Sequence, residues 1–254
     1  MYLALTALAL ASPAIAAEKD TRVYEMRVYT AAPGKLDALH ARFRDHTIKL
    51  FEKHGITNLG YFVPVDNKDN KLVYFVSYPS MDARAKSFKA FGADPDWKKA
   101  HAESEKDGPL LIKDGGIKST FMAVTDYSPV LKVAKGTEDR VFELRTYITT
   151  PKNLPNLDDR FKDHTIKLFE KHGMTNLIYW HLQPDQKGAE NTLIYLLAHK
   201  SVDAAKASFG TFRNDPDWNA ARTASEKKGG GSLTEAKGGV VSLFLKATEY
   251  SPLK

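Results

Sequence analysis

From residue 22 to 30 apolar and polar residues alternate with a period of two. Tyr24, Met26 and Val28 share one face, and Glu25, Arg27 and Tyr29 the other, which predicts a β-strand. Pro33-Gly34 breaks it. The rhythm then changes. Leu36, Leu39, Phe43, His46 and Leu50 follow steps of three and four, which predicts an amphipathic helix over residues 34–54, with Gly55 just past its end. Residues 58–65 and 72–78 read as two strands joined by a polar turn at 66–70. Residues 80–91 read as a short helix. Asp94-Pro95 opens another, with Asp as N-cap and Pro at the first helical position, and 117–126 is a last strand.

The whole pattern then runs a second time. VYEMRVY at 23–29 returns as VFELRTY at 141–147, and DHTIKLFEKHG at 45–55 returns unchanged at 163–173. Asp94-Pro95-Asp96-Trp97 returns as Asp215-Pro216-Asp217-Trp218, and Tyr127-Ser128-Pro129 as Tyr250-Ser251-Pro252. The offset between copies grows along the chain, so the second copy carries two small insertions. One sets 185–191 against 66–70, and the other sets 227–238 against 106–115; both are expected in loops. The chain thus divides into a leader (1–17), a first module (22–130), a linker (132–139) and a second module (140–254). Each module has the order β-α-β-β-α-β, an α+β, ferredoxin-like unit.

Composition narrows the function classes. The chain has 254 residues, 43% of them hydrophobic and 27% charged, enough for a core in each half. Its net charge of +6 is scattered rather than gathered into a basic stripe, so no nucleic-acid partner is expected. With no cysteine there is no disulfide, thiolate metal site or cysteine nucleophile. The apolar run from Leu3 to Ala11, followed by Ala14-Ile15-Ala16, has the form of a secretory signal peptide, although no Lys or Arg precedes it. It predicts cleavage, export to a periplasmic or extracellular space, and no membrane span afterwards.

The strand motif at 24–29, the helix ending Lys53-His54-Gly55 and the Asp-Pro-Asp-Trp element, all repeated in order, resemble the NIPSNAP family within the dimeric α+β barrel superfamily. The resemblance covers nearly all of both modules. It implies two ferredoxin-like sheets packed face to face as a barrel, here from one chain. The superfamily also holds cofactor-free monooxygenases and haem enzymes, and the resemblance to NIPSNAP proteins implies no settled reaction.

Candidate chemistry begins on the first strand of each module. If its apolar face lies under the helices, Glu25, Arg27, Tyr29 and their counterparts Glu143, Arg145, Tyr147 look into the space between the sheets. Two readings of that face stand. One is a self-satisfied Glu–Arg pair, since burying a lone charge costs several kcal/mol. The other is a polar pocket in which Arg holds a small acidic or phenolic molecule while Glu or Tyr handles a proton.

His46 and His164, on the apolar stripe of their helices, are either hydrogen-bonded core residues or catalytic bases. Trp97 and Trp218 are core residues or the wall of a pocket. His54 and His172 sit where a helix C-terminus favours them. His46 and His54 are ~12 Å apart along a helix, HExxH is absent, and no phosphate- or dinucleotide-binding loop occurs, so neither metal nor cofactor is expected. These readings converge on an exported barrel that binds a small organic molecule, with no assigned catalysis. A cofactor-independent, monooxygenase-like oxidoreductase and a structural scaffold are the alternatives, and the oligomeric state stays open.

Overall fold

A computed structural model describes residues 20–136 and 139–254. The leader at 1–17 and linker residues 137 and 138 lie outside the described residues. The first copy comprises β1 (Val23–Thr30), α1 (Leu36–Arg42), a wide π-helical turn (Phe43–Thr47), α2 (Ile48–Lys53), β2 (Thr57–Pro64), β3 (Lys71–Tyr78), α3 (Met81–Ala93), α4 (Pro95–Ser104) and β4 (Ile117–Val124). The second repeats it with β5 (Val141–Ile148), α5 (Leu154–Arg160), a π turn (Phe161–Thr165), α6 (Ile166–Lys171), β6 (Thr175–Leu182), β7 (Thr192–His199), α7 (Val202–Arg213), α8 (Pro216–Lys228) and β8 (Val240–Ala247). Among the described residues no helix is long and apolar enough to cross a membrane.

Each copy is a four-stranded antiparallel sheet, and the two close on one another in the order β1-β3-β2-β8-β5-β7-β6-β4. Within a copy the pairing is long: β1 follows β3 from Val23↔Tyr78 to Thr30↔Lys71. Between copies it is short. Phe62–Pro64 meets Leu245–Ala247 on one side, and Met122–Val124 meets Trp180–Leu182 on the other. The tandem modules therefore form an intramolecular α+β barrel without exposed edges at the seams.

The barrel interior is apolar and filled. Tyr24, Phe62, Val73, Phe75 and Met122 of the first copy pack against Phe142, Leu144, Ile178, Trp180, Ile194 and Leu245 of the second. Trp180 lies flat on Phe75, with ring centres 5.4 Å apart and planes 9° from parallel. Phe62–Phe142 and Trp180–Tyr24 are the same contact made twice, at 4.9 and 5.7 Å. Such pairs add about 0.5–1.5 kcal/mol each beyond the area they bury. At Gly60 a Cβ would fall 2.6 Å from the Phe62 ring, so the ring lies over this backbone in the space a side chain would need.

This filling reverses one expectation. Tyr24, Met26 and Val28 face the barrel interior, not the helices, and Glu25, Arg27 and Tyr29 face outward beneath the helical layer. The physical reason is that both faces of the sheet are covered. The interior is predominantly apolar because two sheets share it. The outer face, roofed by one layer of amphipathic helices, can reach polar groups at the helix edges.

The helices are fixed by side-chain caps. Ser80 Oγ accepts from Ala83 N at 3.1 Å, and Asp94 Oδ1 accepts from Asp96 N at 2.8 Å; Ser201 and Asp215 do the same in the second copy. The first insertion lies in a loop. The second lies partly in helix: α8 continues to Lys228, past the point where α4 has stopped at Ser104.

Candidate functional site

The register of β1 sets Arg27 across from Tyr74 on β3 and from Ser119 on β4. Alternation turns Glu25, Arg27 and Tyr29 toward α3, which supplies Arg84 and Phe88. The Arg27 guanidinium donates to Glu25 Oε1 at 2.5 Å, Tyr74 Oη at 2.8 Å, Ser119 Oγ at 3.0 Å and Tyr29 Oη at 3.1 Å. Glu25, with no exposed surface, also accepts two bonds from Arg84 at 3.2 Å and one from Tyr78 Oη at 2.9 Å. Burial by itself would raise the Glu25 carboxyl; the Arg84 hydrogen bonds and the charges of Arg27 and Arg84 overcome that and hold it below its ordinary range. Burial also opposes the Arg27 charge, and Tyr74, Tyr29 and Glu25 more than restore it. The geometry is that of a closed ion-pair network, not of groups held open for a guest.

The second copy keeps the pair but loses part of its support. Ala205 stands where α3 carries Arg84, and His199 where β3 carries Tyr78. Glu143 is held by Arg145 at 2.7 Å, Ser242 at 2.5 Å and His199 Nε2 at 3.0 Å. Arg145 Nη2 donates to Tyr147 at 3.1 Å. The counterpart of the Arg27–Tyr74 bond is missing: Arg145 Nε and Tyr195 Oη are both buried without a partner, as is His199 Nδ1.

His46 and His164 do not lie on the apolar stripe. Both are exposed, and Thr47 and Thr165 hold the inward positions instead. The cause is the π turn at 43–47 and 161–165, which inserts one residue into the helical phase and turns everything after Phe43 by roughly one position. The Thr47 and Thr165 hydroxyls then donate to the carbonyls of Arg42 and Arg160, at 3.1 and 3.0 Å. His54 and His172 end their helices as expected and bond Asp94 and Asp215 at 2.6 and 2.7 Å.

The helical layer of the first copy does enclose a space. A cavity of about 120 Å³ lies between sheet and helices, walled by Tyr29, Phe43, Phe88, Phe91 and Trp97, with Arg42, Thr47, His101 and Glu105 as its polar lining. Arg27 and Arg145 do not line it. Arg42 is buried, lies 5.4 Å from the Trp97 ring centre, and pairs with Glu105 at 2.9 Å. Its Nε has no hydrogen-bond partner among the described residues. Trp97 packs on Phe91 at 4.3 Å and is half-buried, so it serves both core and cavity wall. Trp218 repeats this on Phe212 at 4.4 Å, with Arg160 5.1 Å away.

The buried arginines Arg42 and Arg160 were missed by periodicity, which assigned the stripe to Leu39 and Phe43. Their signal was an arginine three residues after a core leucine in both copies. Among the described residues no group of three His, Asp or Glu side chains is placed to hold a metal ion.

Comparison with known proteins bears on this arrangement. A candidate monooxygenase from Fusobacterium nucleatum is similar in fold over 89% of this chain and 92% of its own, with 13% identity and a TM-score of 0.56. An anthrone oxidase-like protein is similar over 91% and 92%, with 13% identity and a TM-score of 0.52. A NIPSNAP family protein of unknown function from Agrobacterium tumefaciens matches 43% of this chain and 93% of its own, at 25% identity and a TM-score of 0.37. A comparison with curated proteins returned no match. The NIPSNAP family model matches residues 24–129 and again 142–252. Both halves of the barrel carry the family's pattern, and the chain belongs to the NIPSNAP family.

Proposed function

We propose that the protein binds a small, one-ring organic molecule, aromatic or acidic, between sheet and helices rather than inside the barrel. The observation that carries this reading is the cavity of about 120 Å³ bounded by Tyr29, Arg42 and Trp97. Its volume is near that of sites that admit a benzene-sized guest. Aromatic rings supply the walls, and Arg42 and His101 supply the few polar groups that fix an orientation. The barrel interior is occupied by Phe62, Phe75 and Trp180.

The test is a thermal melt of the full chain with phenol. A saturable rise in Tm that disappears in Leu111→Phe, which fills the cavity from its rim, is expected. No rise, or the same rise in the filled variant, refutes the reading.

One observation favours a second reading, an oxidoreductase that needs no cofactor. His101 Nε2 stands 3.5 Å from Glu105 Oε1 at the cavity lining, a pairing suited to removing a phenolic proton. Oxygen uptake with an electron-rich phenol separates it from simple binding. We also infer export, from the apolar run Leu3 to Ala11 and the following Ala14-Ile15-Ala16. The mass of the protein recovered from outside the cytoplasm should lack those residues; an intact Met1 would contradict this.

A further inference from the structure

The two buried arginines are treated differently by their own copies. In the first, α4 ends at Ser104, and Glu105 is its C-cap with non-helical angles, φ −110° and ψ 11°. That turn brings the Glu105 carboxylate back to Arg42 Nη1 at 2.9 Å. In the second copy the inserted residues let α8 run on to Lys228, where Lys228 anchors it to Asp159 on α5 at 2.8 Å. Glu226, the counterpart of Glu105, is therefore still helical. Its carboxylate lies along the helix near Arg222, one turn back, at 3.9 Å.

Arg160 is left without a carboxylate. It is 6% exposed, no acidic group lies within 4 Å of it among the described residues, and its Nε has no partner. Among the described residues its one side-chain hydrogen bond is to Ser225 Oγ, at 3.5 Å. Burial depresses its affinity for a proton, and the more distant Tyr147 and Glu226 offset that only in part. A buried guanidinium in this condition costs several kcal/mol, and an anion removes the cost.

One further exchange favours an anion here. Arg222 replaces His101 and adds a second positive charge.

We propose that Arg160 is the anion site of the second copy, taking the carboxylate of a small organic acid at the position that Glu105 fills for Arg42. The proposal rests on the reading above that the space between sheet and helices holds a small molecule, and it assigns acids to one copy. The first copy, neutralised from within, is left for uncharged rings. The two copies then differ in ligand class, although their β1 and β5 motifs are nearly the same.

The test uses the full chain with benzoate as probe. Benzoate at ten times its dissociation constant should raise Tm by about 3–5 °C. Arg160→Leu should lose this response while keeping the response to phenol. In the unaltered protein, the Nε–H NMR signal of Arg160 should shift during the same titration, a readout that does not depend on any variant folding. Benzoate binding that survives Arg160→Leu, or an Arg160 signal that stays fixed through the titration, overturns the proposal. If phenol binds and benzoate does not, only this proposal falls; if neither binds, the cavity reading falls with it.

Discussion

At the residue scale the clearest contrast is between Arg27 and Arg145. Both sit opposite a tyrosine, yet only Arg27 reaches it, because Arg84 from the roof helix shares the load on Glu25 and leaves Arg27 free to lean toward Tyr74. Removing Arg27 leaves a buried carboxylate short of one cation. Arg27→Leu should cost about 3–5 kcal/mol, and Glu25→Leu added to it should recover much of that. Arg145→Leu should cost less, since Arg145 makes two side-chain hydrogen bonds where Arg27 makes four, and its Nε is already without a partner. Thermal or urea melts of the three variants check this. Equal losses at Arg27 and Arg145 would contradict the assigned difference.

Individual residues were also where the sequence was least legible. The alternation of β1 was readable, but not which face was inside. That depends on what covers each face, and a strand does not carry that information when one face is covered by its own copy's helices and the other by the second copy's sheet.

At the element scale the helices were readable in place and wrong in phase. Leu36, Leu39 and Phe43 predicted the first turns correctly. Beyond Phe43 a pattern of three and four assumes an unbroken α-helix, and the π turn moved His46 out and Thr47 in. Nothing in hydrophobicity announces such a turn, because Thr and His are both acceptable on either side.

The caps were readable and do more than end helices. Asp94 starts α4 and also takes Lys53 at 2.8 Å and His54 at 2.6 Å from the end of α2; Asp215 does the same for Lys171 and His172. The Lys53 and His54 bonds hold the Asp94 carboxyl well below its ordinary 3.8. Asp215 is held down in the same way by Lys171 and His172. A depressed folded-state value means that these joints contribute stability above the unfolded value of about 3.9, and lose it as pH falls below that. Glu25 and Glu143, also held low, act in the same direction. Melts should therefore weaken below about pH 4. The double variant Asp94→Asn, Asp215→Asn should start less stable at pH 7 and fall less steeply with acid. An identical pH profile in the variant would remove the joints from the explanation.

At the scale of the whole molecule, the tandem repeat made the barrel readable before any contact was known. Two copies of one sheet, joined by a short linker, close most economically on each other. The seams show how. β2 of each copy meets the last strand of the other, so the two seams are one interface used twice. A first copy made alone, residues 20–131, carries both sides of that interface and should assemble with a second molecule of itself. Light scattering is expected to give twice the mass of the fragment; a stable monomer would show that the seams need what only the second copy offers.

Trp180 indicates what that offering is. It occupies the position of Phe62 and lies on Phe75 near the middle of the barrel, where Phe62 also touches Phe75 at 6.0 Å. In an assembly of identical subunits every substitution appears twice, related by the twofold axis, and a bulky ring near that axis meets its own image. Fusing the halves into one polypeptide lifts that restriction. One half can enlarge a side chain while the other keeps a glycine, as Ile178 and Gly60 do beside Trp180 and Phe62. The covalent join thus frees each half to drift independently of the other while the joint core stays filled.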